Sequence, residues 1–398
     1  MPRTRALTLL ALILGLTTPF DGQAKGQAPK PSALVGSITG ITEPMTRQII
    51  QRRDDNVGAI LIIGTCAGNV DGFQAQSFLR PGMIGHPVGW TPLVEVIIFQ
   101  GHFIGTFRQP AGGFYDIQVR PVYKGQVGVP VVVYGVGVGE VFITAGQSNA
   151  TNWGLPTGFG PDIRVSTFNP GPSFGIDPAF PGAGWQYGID PQPAVDLSIG
   201  GSPWPTMANN LAVVMGVPIG LYAAGSGGTA IEQWLPGFVT PATPNVPKLS
   251  LFSRLTNAIR YFDDRGGARA VLFIQGETDF GLSTDPNAYQ SSLQLIINQS
   301  RLATGVPIKW MVAQTTTPVD GYKPNEKEGL EAAQHAVVDN ILTFPGPNAD
   351  QIGVDYRIEV VGGPLHFNAS GLTLLGGYWG IYTYALPGFL HPGALSPR

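Results

Sequence analysis

The sequence contains one cysteine and little charge. The single thiol, Cys66, allows no intramolecular disulfide, and because it follows the apolar run 59–65 we expect it to be buried and structural. Only 12% of the 398 residues are charged and the formal net charge is -3, so we expect no basic surface for nucleic acid. No histidine or cysteine cluster has metal-ligand spacing, and no glycine-rich phosphate loop occurs. The sequence therefore predicts no metal, no cofactor and no nucleic-acid partner.

Long apolar runs are also missing. The main candidate, residues 6–16, falls short of the ~20 residues that a helix needs to span a bilayer. It follows Arg3 and Arg5 and precedes small and polar residues, which is the layout of a secretory signal peptide cleaved after Ala24. We expect residues 1–24 to be removed and the mature protein to be exported, to a bacterial periplasm or the medium, without stable membrane insertion.

Glycine and proline divide the first part of the mature chain into short pieces. Residues 25–34 have the composition of a linker. From 35 to 137, β-branched and aromatic runs alternate with glycine and proline, and no helix-length period occurs. This pattern predicts a small accessory domain, an antiparallel β sandwich over 35–137. Its five candidate strands are 59–65, 94–99, 103–107, 114–119 and 130–135.

The pattern changes near residue 138, where apolar strands begin to alternate with helix-length segments. Such alternation predicts an α/β domain, over 138–386, with a parallel sheet covered by helices on both faces, followed by a tail over 387–398. The candidate strands are 140–145, 217–223, 269–275, 308–313 and 356–361. The candidate helices are 206–215, 249–264, 286–303, 325–342 and 369–384.

Residues 151–204 show little periodicity and contain many aromatic side chains. An irregular segment of this length is typical of a functional loop, and its aromatic content favours an ordered wall beside a site. The aromatic residues concerned are Trp153, Phe159, Phe168, Trp185, Tyr187 and Trp204.

Polar clusters stand at three places where apolar segments end. Residues 146–149 (GQSN) end the run 141–145, residues 275–279 (QGETD) end a second run, and residues 365–368 (LHFN) precede the last helix. Open α/β sheets bind their ligands at the carboxyl ends of the strands, so these clusters are expected to share one edge. Serine, glutamate and histidine in this arrangement indicate a hydrolase with a serine nucleophile.

With the segment 227–234 (GGTAIEQW), these motifs resemble the SGNH hydrolase superfamily, and within it the sialate O-acetylesterase and acetylxylan esterase group, carbohydrate esterase family 6. The resemblance spans roughly residues 139–385. It implies a three-layer, flavodoxin-like α/β fold and the removal of acetyl groups from a sugar. An acetylated oligo- or polysaccharide is then the expected substrate.

Ser148 is the expected nucleophile, and a serine hydroxyl needs an adjacent base to accept its proton. His366 lies between a predicted strand and a predicted helix, from which it could reach Ser148 across the sheet edge. The remaining histidines lie in the β region, inside a predicted helix or in the tail: His86, His102, His335 and His391. We therefore expect His366 to be the base.

The acid that should orient His366 is missing from its usual place. The family pattern has an aspartate three residues before the histidine, and this sequence has Gly363 there. Three explanations stay open: Glu277 orients the imidazole, a main-chain carbonyl does so in a Ser-His dyad, or the protein binds without catalysis. We prefer Glu277, with Asp355 and Glu359 as fallback candidates.

The resemblance also supplies candidate groups around the acetyl carbonyl. Oxyanion donors would be the backbone amide of Ser148, an amide at Gly228 and the side-chain amide of Gln275. Trp234 would stack on a sugar ring unless it is buried in the core, and Asn149 is a further candidate for substrate binding.

The predicted function is an exported serine esterase that works through an acyl-serine intermediate. Two alternatives remain at this stage. A polysaccharide O-acetyltransferase would use the same serine and histidine, and an inactive carbohydrate-binding protein would be consistent with Gly363.

Overall fold

The computed structural model describes residues 34–156, 162–171, 184–240, 250–317, 319, 322–360 and 363–386. The expected signal peptide, almost all of the linker and the C-terminal tail lie outside the described residues, as do Phe159 and His391.

The first part of the described chain consists of strands joined by turns. Every pairing among its first nine strands is antiparallel. The strands are β1 (Ser37–Glu43), β2 (Ile49–Gln51), β3 (Val57–Ala67), β4 (Gly72–Ile84), β5 (Thr91–Pro92), β6 (Val94–Phe99), β7 (His102–Pro110), β8 (Gly112–Tyr123) and β9 (Gln126–Val127). Cys66 is buried on β3, as predicted, and burial raises the pKa of its thiol.

Strand β4 was not predicted, because its polar and small residues conceal a two-residue alternation. Phe73, Ala75 and Ser77 are buried, whereas Gln74 and Gln76 between them are only partly covered. The ring of Phe73 stacks on that of Phe103 from β7, with centroids 3.9 Å apart. The sheet β1-β3-β7-β6 therefore packs through this contact on the strand pair β4–β8.

A single long strand, β10 (Val131–Gly146), connects this region to the rest of the chain. Its first half pairs with β8 in antiparallel fashion, beginning with Val131 opposite Val119. From Glu140 onward it pairs in parallel with two strands of the α/β part. The predicted boundary between residues 137 and 138 thus falls inside a continuous strand of one 12-stranded sheet.

The α/β part is built around the second half of β10. Its other strands are β11 (Val165–Asn169), β12 (Gly184–Tyr187), β13 (Ile219–Ala223), β14 (Ala270–Ile274), β15 (Lys309–Gln314) and β16 (Thr343–Asn348). The order is β12-β11-β13-β10-β14-β15-β16, and all neighbours are parallel except β12, which is antiparallel to β11. The five strands β13-β10-β14-β15-β16 have the 2-1-3-4-5 order of flavodoxin-like sheets.

Helices cover both faces of this sheet. They are α1 (Trp204–Met215), α2 (Leu251–Asp263), α3 (Glu277–Gly281), α4 (Pro286–Thr304), α5 (Pro324–Ala336) and α6 (Ala369–Tyr384). Alternate residues of β10 face opposite ways: Phe142 packs in the cluster that contains α1 and α6, whereas Val141 and Ile143 pack with α2, α4 and α5. The three layers follow from this alternation. Within the described ranges, no helix is long and apolar enough to cross a membrane.

Two sequence predictions near the C-terminus were wrong. The helix expected over 325–342 ends at Ala336, and β16 begins at Thr343. The two prolines and the glycine of β16 concealed this strand, which lies at the edge of the described sheet and pairs with β15. The strand expected over 356–361 forms as β17 (Arg357–Val360), but it does not join the parallel sheet. It pairs with β18 (Gly363–Phe367) in a separate antiparallel hairpin.

Asp190 makes the stability of this fold dependent on pH. Its carboxylate accepts hydrogen bonds from the amide and the hydroxyl of Ser202, each at 2.7 Å. Burial nevertheless raises the pKa of Asp190 to about 6. When folding raises the pKa of a carboxyl group, the group contributes fully to stability at pH values below its pKa in the unfolded chain. This contribution is lost as pH rises through about 6, the pKa in the folded protein.

We expect Asp190→Asn to stabilise the protein by about 2 kcal/mol at pH 8, because the amide can still bond Ser202 and does not ionise. Urea unfolding at about pH 4 and about pH 8 checks this, and the two proteins should converge at the lower pH. Asp162→Asn serves as a control of opposite sign, because the hydrogen bond from Arg164 lowers the pKa of Asp162. An Asp190→Asn variant that is less stable than wild type at pH 8 would contradict the prediction.

Candidate active site

Ser148 is placed by the way β10 ends. Gly146 has a φ of 122°, and a Cβ at this position would lie 1.8 Å from the carbonyl oxygen of Ile274 on β14, so only glycine fits. The amide of Gln147 then donates to the same carbonyl, at 2.8 Å. Residues Ser148–Ala150 form a 3-10 turn immediately afterwards. The predicted nucleophile therefore lies at the carboxyl edge of the sheet, with 4% of its surface exposed.

The side chain of Gln147 joins this turn to the second motif. Its Oε1 accepts hydrogen bonds from the amides of Thr278 (3.0 Å) and Gly276 (3.3 Å). Glutamine at this position thus fixes the start of α3 relative to Ser148. The glutamine of the GQSN motif therefore has a structural role, which the sequence alone did not reveal.

Glu277 occupies a buried position beside the turn Ser148–Ala150, which is called the nucleophile turn after the predicted role of Ser148. Its Oε1 accepts hydrogen bonds from Asn149 Nδ2 at 2.6 Å and from Thr315 Oγ1 at 2.9 Å. Its Oε2 is buried and has no hydrogen-bond partner among the described residues. Burial raises the pKa of Glu277, and the hydrogen bonds from Asn149 and Thr315 oppose this rise. The carboxylate is therefore bonded to the residue next to Ser148.

His366 lies on β18, in a short strand where a loop was expected, and β18 contacts the turn Ser148–Ala150. The imidazole ring lies 5.5 Å from the ring of Trp153. Burial lowers the pKa of His366, and the positive charge of Arg357 lowers it further. In the described part of the chain no group forms a hydrogen bond with the imidazole. Burial and the charge of Arg357 both favour the neutral imidazole over the imidazolium.

Position 363, where the family pattern has an aspartate, has a backbone conformation that suits glycine. Gly363 begins β18 with a φ of 108°, a conformation that an aspartate would adopt only with strain. A buried cation, Arg357, lies in this hairpin instead. Its guanidinium donates to the carbonyl of Leu365 at 2.7 Å and lies 3.9 Å from the centroid of the Phe367 ring. The residues on both sides of His366 are therefore held by Arg357.

Asn149 links Glu277 to the strand that carries His366. Besides its bond to Glu277, the Asn149 Nδ2 makes a longer contact of 3.5 Å with the carbonyl of Leu365. The side chain of Asn149 is buried and bonds to protein groups. The prediction was that it contacts the substrate. The described residues contain no direct hydrogen bond between Glu277 and His366.

The fallback acids lie on the surface. Asp355 and Glu359 are both exposed, and Glu359 stands opposite Pro364 in the hairpin. A solvated position is therefore the simplest role for Glu359, as its alternation with apolar neighbours indicated.

Gln275 does not fit the predicted role of oxyanion donor. Its Nε2 already donates to Asp279 Oδ2 at 2.5 Å and to the carbonyl of Thr229 at 3.0 Å. Its Oε1 accepts a hydrogen bond from the hydroxyl of Tyr289, at 2.8 Å. Because both amide protons have buried acceptors, Gln275 connects the loops around the site and has no proton free for a substrate oxygen.

Gly228 remains available as a donor. It follows Gly227 in the turn after β13 and has a φ of 69°, and a Cβ there would meet no atom within 4 Å. The amide of Gly227 already donates to Asp196 Oδ2, at 2.8 Å. No described residue accepts a hydrogen bond from the amide of Gly228. Since Gly228 is also exposed, its amide is a candidate donor to a substrate oxygen.

Trp234 was wrongly predicted to stack on a sugar. Its side chain is completely buried, its Nε1 donates to Thr229 Oγ1, and its ring packs edge-on against Phe273. The faces of the indole are inaccessible, so the core alternative is correct for this residue.

One of the aromatic residues predicted in 151–204 borders the site. Trp153 is 46% exposed and lies beside His366. Phe168 is buried in the core, and Trp204 packs against Trp379 at 5.4 Å. The rings of Trp185 and Tyr187 contact Phe168 and Arg47, respectively.

The sequence did not indicate two residues that support the candidate site. Asp196 accepts hydrogen bonds from residues on both sides of the site, and Arg357 supports the strand of His366. Asp196 lies in a segment without periodicity, so no pattern marked it. Among the described residues no group of acidic, histidine or cysteine side chains could hold a metal ion.

Known proteins resemble this chain in sequence and in fold. Residues 138–377 match the family described as carbohydrate esterase, sialic acid-specific acetylesterase. The chain matches no curated protein sequence. Among solved structures, a carbohydrate acetylesterase from Xanthomonas citri is 18% identical, with a TM-score of 0.52, and the match covers 87% of this chain and 75% of that one.

Two further solved structures match with lower TM-scores. A protein from Arabidopsis thaliana is 19% identical, with a TM-score of 0.48 and coverage of 62% of this chain and 98% of that one. A family two carbohydrate esterase from Cellvibrio japonicus is 10% identical, with a TM-score of 0.34 and coverage of 87% and 94%.

The Xanthomonas structure shows that the α/β fold is shared, and the family match decides the identity. That match covers more than half of the chain and includes Ser148, Glu277 and His366. The chain therefore belongs to the sialic acid-specific acetylesterase family of carbohydrate esterases, and the prediction of a carbohydrate O-acetylesterase is confirmed.

Proposed function

We propose that the enzyme removes acetyl groups through an acyl-serine intermediate on Ser148, with His366 as the base. The observation that carries the proposal is the contact between two elements at the carboxyl edge of the sheet: the turn that contains Ser148 and the strand that contains His366. The lowered pKa of His366 supports it, because only a neutral imidazole can accept a proton from a serine hydroxyl.

The reaction would proceed in two halves. Ser148 Oγ attacks the acetyl carbon while His366 accepts the hydroxyl proton, and the amides of Ser148 and Gly228 stabilise the negative charge on the carbonyl oxygen. The bond to the sugar oxygen then breaks, that oxygen takes the proton from His366, and acetyl-Ser148 remains. Water then attacks the acetyl carbon while His366 accepts a proton from it. The bond between that carbon and Ser148 Oγ breaks, Oγ takes the proton back from His366, and acetate leaves.

We propose that Glu277 supports His366 indirectly. Its carboxylate holds Asn149, and Asn149 reaches the carbonyl of Leu365 next to the base. A negative charge near this strand also favours the imidazolium that forms during the reaction. The main-chain carbonyl and the packing of Trp153 on the ring are the alternatives for orienting His366.

We infer that an acetylated oligo- or polysaccharide is the substrate. Trp153 supports this, because a half-exposed indole beside the base offers an apolar surface of the kind on which sugar rings stack. An aromatic side chain adjacent to His366 would hold the sugar while the acetyl group points toward Ser148. Trp153 thus takes the role first assigned to Trp234.

We also propose that the enzyme is exported and has two domains. The N-terminal residues 1–24 have the composition of a signal peptide, followed by a linker over 25–34. The antiparallel strands of 35–137 would form an accessory β-sandwich domain, and 138–386 the esterase domain, with β10 shared between them.

The test of the proposed function is acetate release by the mature protein and its Ser148→Ala variant, which should fold normally because Ser148 makes no side-chain hydrogen bond among the described residues. An aryl acetate, acetylated xylan and O-acetylated sialic acid serve as substrates. We expect the variant to lose at least about 10³-fold in kcat on every substrate that wild type hydrolyses.

Activity that survives in Ser148→Ala would exclude Ser148 as the nucleophile. A wild type that consumes an acetyl donor only when an acceptor glycan is added would instead indicate a transferase. The absence of both reactions, with binding of the glycan retained, would indicate a protein that has lost catalysis.

The pH dependence of kcat/KM should reveal the lowered pKa of His366. Activity requires the neutral imidazole, so it rises with pH through that pKa, and we expect the midpoint of this rise below 6.5. Initial rates with an aryl acetate from about pH 4 to about pH 9 measure it. Repeating the profile with Glu277→Gln distinguishes titration of His366 from titration of Glu277. A rise of kcat/KM with pH that is due to His366 remains in this variant. A midpoint at or above 6.5 would contradict the claim that burial and Arg357 lower the pKa of His366.

Glu277→Gln should lower kcat by about 10- to 100-fold, because it removes a charged acceptor while keeping an oxygen for Asn149. Thr315→Val is the matched control, since it removes the other donor to Glu277 Oε1 and leaves the carboxylate and Asn149 in place. We expect a much smaller loss in the control. Near-normal turnover in Glu277→Gln would leave the main-chain carbonyl or packing to orient His366.

A further inference from the structure

Asp196 lies in the irregular chain between β12 and α1, and its carboxylate receives hydrogen bonds from several parts of the site. Oδ2 accepts from the amide of Gly227 at 2.8 Å, from Trp153 Nε1 at 2.9 Å and from Thr151 Oγ1 at 3.0 Å. Oδ1 accepts from the hydroxyl and the amide of Ser198, at 2.7 and 3.1 Å. Three donors from separate positions therefore converge on one oxygen atom.

Each of these donors belongs to an element that the proposed reaction uses. Gly227 precedes Gly228 in the turn that offers an oxyanion donor. The amide of Thr151 donates to the carbonyl of Ser148 at 3.0 Å, so Thr151 connects Asp196 to the turn that contains Ser148. The ring of Trp153 lies against His366. Asp196 therefore contacts the neighbours of nucleophile, base and oxyanion donor at once.

The packing at this junction is tight. A Cβ on Gly227 would lie 2.4 Å from Trp153 Nε1 and 3.1 Å from Asp196 Oδ2. The glycine lets its amide approach the carboxylate while the indole approaches from the other side. Movement of any one of the three groups would displace the other two.

We infer that Asp196 is a positioning residue for the acetyl-transfer chemistry, which fixes the oxyanion turn, the nucleophile turn and the aromatic neighbour of the base relative to one another. The inference rests on the proposed function. Asp196 does not reach the reacting atoms itself. Its carboxylate acts because a single negatively charged oxygen accepts three hydrogen bonds, which a neutral or shorter side chain cannot do equally well.

The test compares Asp196→Ala with Asp196→Asn and with Asp190→Ala. Asp190 is the matched control, because it lies on the same irregular segment and also accepts two hydrogen bonds from one serine, Ser202. The readouts are kcat and KM for an aryl acetate, the inhibition constant of phenylboronic acid, which mimics the tetrahedral intermediate, and the melting temperature.

We expect Asp196→Ala to lower kcat by about 10- to 100-fold with KM nearly unchanged, because the oxyanion donor is displaced. The inhibition constant of the boronic acid should rise by a similar factor. Asp196→Asn keeps an acceptor oxygen for the three donors but loses the negative charge, so it should recover only part of the activity. Asp190→Ala should lower the melting temperature while its kcat and boronic acid binding stay close to wild type.

Wild-type kcat and boronic acid binding in Asp196→Ala would overturn the inference. So would an equal loss of kcat in Asp190→Ala, because the effect would then reflect general order of the segment. A wild-type protein that neither releases acetate nor binds the boronic acid would overturn the proposed function, and with it the role of Asp196. The wild-type measurement therefore separates the two failures.

Discussion

The site depends on the close approach of two backbones at Gly146. Because a side chain there would overlap the carbonyl of Ile274, the chain can leave β10 only in the direction that brings Gln147 onto the same carbonyl. A second close approach occurs at Gly276, where a Cβ would lie 2.2 Å from the carbonyl oxygen of Thr315. Two glycines, one ending β10 and one two residues after the end of β14, thus fix where Ser148 and Glu277 stand at the sheet edge.

The electrostatics around the base differ from those of a conventional triad. A carboxylate bonded to the imidazole would stabilise the imidazolium, whereas the pKa of His366 is lowered by burial of the imidazole and by the positive charge of Arg357. Both effects favour the neutral base in the resting enzyme. Stabilising charge must then come from a group that is not bonded to the imidazole, and the carboxylate of Glu277 is bonded to Asn149 in the turn that contains Ser148.

The sequence predicted the parts of the fold whose periodicity is strong. Helices α2, α4 and α6 begin at capping residues that accept hydrogen bonds from the first turn, namely Ser250, Asp285 and Asn368. The strands β4 and β16 were missed because polar residues, prolines and glycines conceal their pairing. The motifs at strand ends predicted that Ser148 and Glu277 share one edge, since they follow the parallel neighbours β10 and β14. His366 comes to the turn of Ser148 from the separate hairpin β17–β18, which the strand pattern did not predict.

What the sequence could not supply is the direction of each side chain at that edge. Gln275 and Trp234 stand in the predicted places, but they turn into buried hydrogen bonds and into the core. Asp196 and Trp153 are 43 residues apart, and only the folded chain brings them together. Such contacts depend on packing between distant segments, which no local pattern records.

The most direct test of the account is covalent labelling of the wild-type enzyme with a fluorophosphonate, followed by peptide mass analysis. A nucleophilic Ser148 activated by His366 predicts one label, on the peptide that contains Ser148, and no label in His366→Ala. A label on another residue, or full hydrolytic activity without any label on Ser148, would contradict the account.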